Sequence, residues 1–89
     1  MNAKRYLLIV DVGTGSGRSV VFDEMGTQVS VCQREWSHPP DPRYPGSLDF
    51  DSAGNWKLVC ECVRGSMERA GIEPARVAAV SATSMRHGI

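Results

Sequence analysis

The run Asp11-Val12-Gly13-Thr14-Gly15-Ser16-Gly17-Arg18 constrains this chain more than any other stretch. It is entered from the apolar run Tyr6-Leu7-Leu8-Ile9-Val10 and left through Ser19-Val20-Val21-Phe22-Asp23. Two strand-like runs so close together predict a tight hairpin. Three alternating glycines leave backbone N–H groups uncovered and permit positive φ, so that successive amides can converge on an anion. Thr14 and Ser16 add short hydroxyls, and Arg18 adds a charged fork suited to phosphate oxygens. Asp11 would repel a phosphate unless Mg²⁺ or a bound water lay between them, so the stretch reads as a phosphate-binding hairpin for a nucleotide with magnesium. The plainer alternative is a structural hairpin whose glycines serve only the turn.

Two better-known glycine loops are excluded. A P-loop requires G-x-x-x-x-G-K-[ST], and no lysine follows these glycines; a dinucleotide turn requires G-x-G-x-x-G, and Arg18 stands at the third position. Both also open a helix, whereas Ser19 to Asp23 is rich in Val and Phe and runs into Glu24-Met25-Gly26, which predicts a strand and a turn.

A chain of 89 residues allows at most one small domain with a marginal core. Ten basic and ten acidic side chains balance and are scattered, which argues against a nucleic-acid partner. The apolar run after Lys4-Arg5 is interrupted at Asp11, too soon for a signal peptide or a membrane span. Three cysteines without a disulfide pattern fit a reducing compartment, so a cytoplasmic location is expected. Cys60 and Cys62 would point to different faces of a helix, which disfavours a metal pair.

After Gly26, Thr27 to Glu35 alternates, with Val29 and Val31 on one face and Gln28 and Ser30 on the other, completing a three-strand antiparallel meander. The first run is apolar on both sides, as for a central strand covered on two faces. Four of the five prolines fall within residues 36–50, marking a long loop whose Trp36, His38 and Tyr44 either pin it to the body or line a pocket. Asp51 or Ser52 can cap a helix on which Ala53, Trp56, Val59, Cys60, Val63, Met67 and Ala70 mark one apolar face. Gly71 and Pro74 end it. Val77 to Thr83 is small and β-branched and predicts a buried strand, with Arg86 and His87 just past its end, where ligand groups cluster in open α/β sheets.

The order strand, glycine hairpin, strand, strand, loop, helix, strand resembles the start of the α/β ribonuclease-H-like ATPase fold shared by actin, Hsp70 and sugar kinases. Leu8-Ile9-Val10-Asp11-Val12-Gly13-Thr14-Gly15-Ser16 with Arg18 resembles the opening phosphate motif of the FGGY carbohydrate kinases. Further similarity is carried by Glu35 to His38, Pro45 to Asp51, Asn55 to Leu58, Cys60 to Arg64, Ala70 to Pro74 and Ala78 to Arg86, so it spans nearly the whole chain.

The resemblance implies that residues 1–89 are the amino-terminal, incomplete portion of the first kinase domain. It implies ATP and Mg²⁺ as cofactors, with Asp11 facing the metal directly or through water and Thr14, Gly15, Ser16 and Arg18 on the phosphates. Arg86 and His87 would contact a small sugar-like substrate. The catalytic base, a second phosphate loop and the adenosine pocket come from later sequence in the family, so this chain alone is expected to be inactive. One departure bears on substrate: some members have Arg-Glu where this chain has Arg86-His87, and xylulokinases place Met-His-Gly there. Xylulose, glycerol and gluconate kinases therefore stay open as alternatives, as does a non-sugar nucleotide-binding protein of the actin/Hsp70 superfold. A small-molecule substrate, no nucleic acid and no membrane are the expected partners, with self-association left open.

Overall fold

β-branched, alternating runs joined by short turns pair with their neighbours. In the computed structural model, which describes residues 4–13, 15–37, 43 and 52–84, β1 (Tyr6–Val12), β2 (Ser16–Asp23) and β3 (Gln28–Glu35) form the expected meander. A helix, α1 (Ser52–Ala70), and a 3₁₀ turn at Pro74–Arg76 lead to β4 (Val77–Ser84). The strand order is β3-β2-β1-β4, antiparallel within the meander and parallel between β1 and β4. A parallel pair needs a crossover, and α1 supplies it.

The β2–β3 turn is closed by the Asp23 carboxylate, which accepts from the Met25 and Thr27 amides at 2.9 Å each, while Gly26 takes the left-handed conformation at φ 82°. The end of α1 follows the sequence reading closely. Gly71 adopts φ 67°, its N–H donates to the Glu68 carbonyl, and the Ile72 N–H donates to the Met67 carbonyl, the pair of bonds that ends a helix in a Schellman motif. Of the two proposed helix caps, Asp51 lies outside the described residues.

The helix packs on β2 and β3, but of the face expected only Val59 is fully buried. Asn55, Val59, Cys62 and Ser66 are its buried residues, whereas Trp56 is 66% exposed and Cys60 and Val63 are only half-buried. The contact stripe is rotated from Trp56, Cys60, Val63 and Met67 towards smaller, more polar side chains. Close approach is the reason. A Cβ on Gly65 would lie 2.9 Å from Cys32 Sγ, so the helix sits directly against β3. Only short side chains fit there, and their polar atoms are paired. Ser66 Oγ donates to the Val63 carbonyl, so in the 2.8 Å contact between Ser19 and Ser66 it is Ser19 that donates; Ser30 donates to the Ser66 carbonyl. Among the described residues, Asn55 Nδ2 is buried without a hydrogen-bond partner.

Two further expectations are corrected. β4 was read as buried, yet Ala78 to Ser84 are all exposed, because β4 is an edge strand and α1 covers β2 and β3 instead. β1 is central, as expected, but among the described residues it is covered on one face only: Leu8 is buried and Leu7 exposed. Among the described residues, no helix is long and apolar enough to cross a membrane.

Candidate functional site

Asp11 and Arg18 are direct partners in the β1–β2 register, one residue pair below Val12 and Gly17. Their side chains meet, Arg18 Nη2 lying 3.3 Å from Asp11 Oδ2, with 49% and 40% of each side chain exposed. Alternation along β1 puts them on the face opposite α1, since Leu8 and Val10 face the helix. On the other side of Asp11, β4 contributes Thr83 as its register partner.

The turn above this pair is compact. Gly13 N–H donates to the Ser16 carbonyl at 2.8 Å, and the Trp36 N–H donates to the Gly15 carbonyl at 3.0 Å, tying the hairpin to the end of β3. Gly15 is exposed and Ser16 half-buried. The glycines do not all act as expected. Among the described residues, positive φ is confined to Gly26 and Gly71, so Gly13, Gly15 and Gly17 do not use the left-handed region. Gly17 serves packing: a Cβ there would lie 2.8 Å from Trp36 Cζ3 and 3.3 Å from Val59 Cγ2. The Trp36 indole and α1 thus close on the back of the hairpin, which leaves its Asp11–Arg18 face open.

Asp11, Gly15, Ser16 and Arg18 therefore come together at one end of the sheet. β4 runs parallel to β1 and finishes at Ser84 beside Val12, so the chain leaves β4 at that same end. Thr14, Arg86 and His87 lie outside the described residues. Among those described, no group of three or more His, Cys, Asp or Glu could hold a metal. A single carboxylate is nonetheless what Mg²⁺ needs when it keeps several waters and takes its remaining ligands from substrate phosphates, so Asp11 fits that ion. The ion pair is no obstacle. Exposed pairs of this kind contribute about 0–1 kcal/mol, so Arg18 can turn to an incoming anion while Asp11 turns to a cation.

The model of the FGGY family of carbohydrate kinases, N-terminal domain, matches residues 6–89. The chain belongs to the FGGY carbohydrate kinases. Among the family's curated members, autoinducer-2 kinase of Escherichia coli K12 is 53% identical over 87 residues, covering 98% of this chain and 16% of the relative. Autoinducer-2 kinase of Salmonella paratyphi A is 51% identical over 84 residues, covering 94% and 16%. Of solved structures, gluconate kinase from Lactobacillus acidophilus superposes with a TM-score of 0.66 at 24% identity, covering 96% of this chain and 16% of that one. Xylulose kinase from the same organism gives 0.64 at 25% identity, covering 93% and 16%. The expected α/β sugar-kinase fold is thereby borne out, as a partial sheet with one helix. The chain spans about a sixth of the length of these relatives.

The packing partners of the hairpin, Trp36 and Gly17, were missed as a unit in the sequence. The Asp11–Arg18 pairing was legible. An even number of residues, Gly13 to Ser16, separates Val12 from Gly17 and fixes the register so that residues summing to the same number face each other, as Val12 with Gly17 and Asp11 with Arg18 do.

Proposed function

We propose that this chain is the amino-terminal portion of the first domain of an ATP-dependent kinase, transferring the γ-phosphoryl group to a hydroxyl of a small sugar-like substrate. The substrate favoured by the two most similar relatives named above is the autoinducer-2 signal, a linear hydrated dihydroxypentanedione. The observation that carries the reading is the Asp11–Arg18 pair at the open face of the glycine hairpin, in a chain that matches the kinase family over residues 6–89.

The roles follow from the chemistry of each group. Arg18, released from Asp11, offers two parallel N–H donors to phosphate oxygens. The Gly15 amide and the hydroxyls of Thr14 and Ser16 add neutral donors at the turn. Asp11, freed from Arg18, holds Mg²⁺ directly or through water. The bound magnesium–nucleotide supplies the transferable phosphoryl group and neutralises charge that builds on it. Arg86 and His87 orient the acceptor by its hydroxyls, and the proton-accepting base comes from a longer chain. Gluconate or xylulose as substrate is the second reading, favoured by the structural likeness and by His87.

A chimera tests this. The 87 residues of this chain that align with the E. coli autoinducer-2 kinase replace the corresponding segment of that kinase, and ATP-dependent phosphorylation of the autoinducer-2 precursor is measured. An active chimera, with no substrate-dependent ADP from the 89-residue chain alone, is the expected result. A soluble, folded chimera without activity on the autoinducer-2 precursor, gluconate or xylulose, or turnover by the isolated chain, would contradict the proposal.

A further inference from the structure

Gly13, Gly15 and Gly17 give the hairpin turn little stiffness of its own, since a glycine loses more conformational freedom on ordering than any other residue. Such a turn binds an anion weakly unless something else holds its shape, because the cost of ordering then falls on the binding step. Trp36 holds it at two points. Its N–H donates to the Gly15 carbonyl at 3.0 Å, and its indole covers Gly17, with Cζ3 and Cη2 at 2.8 and 2.9 Å from where a Cβ would stand.

The first contact orients a donor. A trans peptide sets its C=O and its N–H on opposite sides, and no cis bond occurs among the described residues. With the Gly15 carbonyl turned to the end of β3, the Ser16 N–H faces the other way, into the turn. The Ser16 carbonyl lies on that same side, where it accepts from the Gly13 N–H. The second contact separates two faces. Alternation along β2 puts Ser16 and Arg18 on the face of Asp11, and Gly17 on the face of α1. The indole and Val59, whose Cγ2 is 3.3 Å from the same Cβ position, therefore back the hairpin from the side opposite its candidate ligand face.

We propose that Trp36 is a positioning residue for nucleotide binding: touching no phosphate itself, it fixes the glycine turn so that the Ser16 amide and the Arg18 face are set for the magnesium–nucleotide. This inference rests on the kinase reading above and adds to it a residue behind the site. Without the indole the turn regains freedom, and the nucleotide has to remove it on binding.

The chimera with the E. coli kinase tests this. In steady-state kinetics, Trp36→Leu should raise the KM for magnesium–ATP at least ~10-fold while kcat and the KM for the autoinducer-2 precursor stay nearly unchanged, the pattern of lost binding rather than lost chemistry. Trp36→Phe, which keeps a ring over Gly17, should recover most of that loss. Hydrogen exchange of the unsubstituted chimera is a second readout, and it decides the matter if Trp36→Leu does not fold. Saturating magnesium–ATP should slow exchange at the Trp36 amide together with the amides of the turn. An unchanged ATP KM in Trp36→Leu, an equal rise in both KM values, or protection of the turn without Trp36 would overturn the inference and leave the kinase reading standing. A chimera that neither turns over ATP nor gains protection at the turn would overturn both.

Discussion

Asp11 and Arg18 face each other across the β1–β2 hairpin, the guanidinium 3.3 Å from the carboxylate, on the sheet face that α1 does not cover. Each group holds the charge that the other's ligand would bring. Arg18 stands where a cation would approach Asp11, and Asp11 stands where a phosphate would approach Arg18. Because both are half in water, exchanging this pair for a metal and an anion requires only side-chain rotation.

The hairpin depends on a missing side chain. Gly17→Ala would drive a methyl group to 2.8 Å from the Trp36 ring, with Val59 Cγ2 of α1 at 3.3 Å on the other side. Overpacking of this kind costs about 1–3 kcal/mol. Urea unfolding of the variant should show that loss with an unchanged m-value; wild-type stability would mean that the indole moves aside freely.

Burial at the α1–β3 contact, reinforced by neighbouring Cys32, pushes the Cys62 thiol up to about 11. In the unfolded chain it ionises near 9, so between these values the folded state holds the extra proton. Its contribution to stability is fully present below pH 9 and is lost as pH rises towards 11. Urea midpoints measured across that window should fall more steeply for wild type than for Cys62→Ala, whose overall stability is lower but which lacks the titrating group. Parallel slopes would show that the thiol ionises as freely in the fold as outside it.

Substrate choice should turn on position 87. Histidine both donates and accepts, whereas glutamate only accepts, so the two read a sugar's hydroxyls differently. In the active chimera, extended to residue 89, His87→Glu should shift relative kcat/KM among the autoinducer-2 precursor, xylulose and glycerol by at least ~10-fold, leaving the KM for ATP nearly unchanged. An unchanged ranking would place residue 87 away from the substrate, and a large change in ATP KM would place it on the nucleotide side.

The sequence carried the meander, the crossover helix and its glycine stop because each rests on local chemistry: alternation, a turn residue, a residue that tolerates positive φ. It misplaced the buried face of α1. Spacing marks where large apolar residues recur, and Trp56, Cys60 and Val63 do recur, but Gly65 lets the backbone approach so closely that Cys62 and Ser66 make the contact. The exposure of β4 was equally hidden, since a strand's composition reports the environment it suits and not whether that environment is present. At the site, Asp11, Gly15, Ser16 and Arg18 gather as their spacing implied, while the packing role of Gly17 depended on Trp36, nineteen residues away.

The central claim is that Asp11 is aimed at the metal of a magnesium–nucleotide. It is tested most directly by steady-state phosphorylation in the chimera carrying Asp11→Asn, a near-isosteric change that removes the charge. The account predicts a rate about 100- to 1,000-fold lower with an unchanged circular dichroism spectrum. A wild-type rate with normal magnesium dependence would contradict it and reduce Asp11 to the partner of Arg18 at the end of a strand.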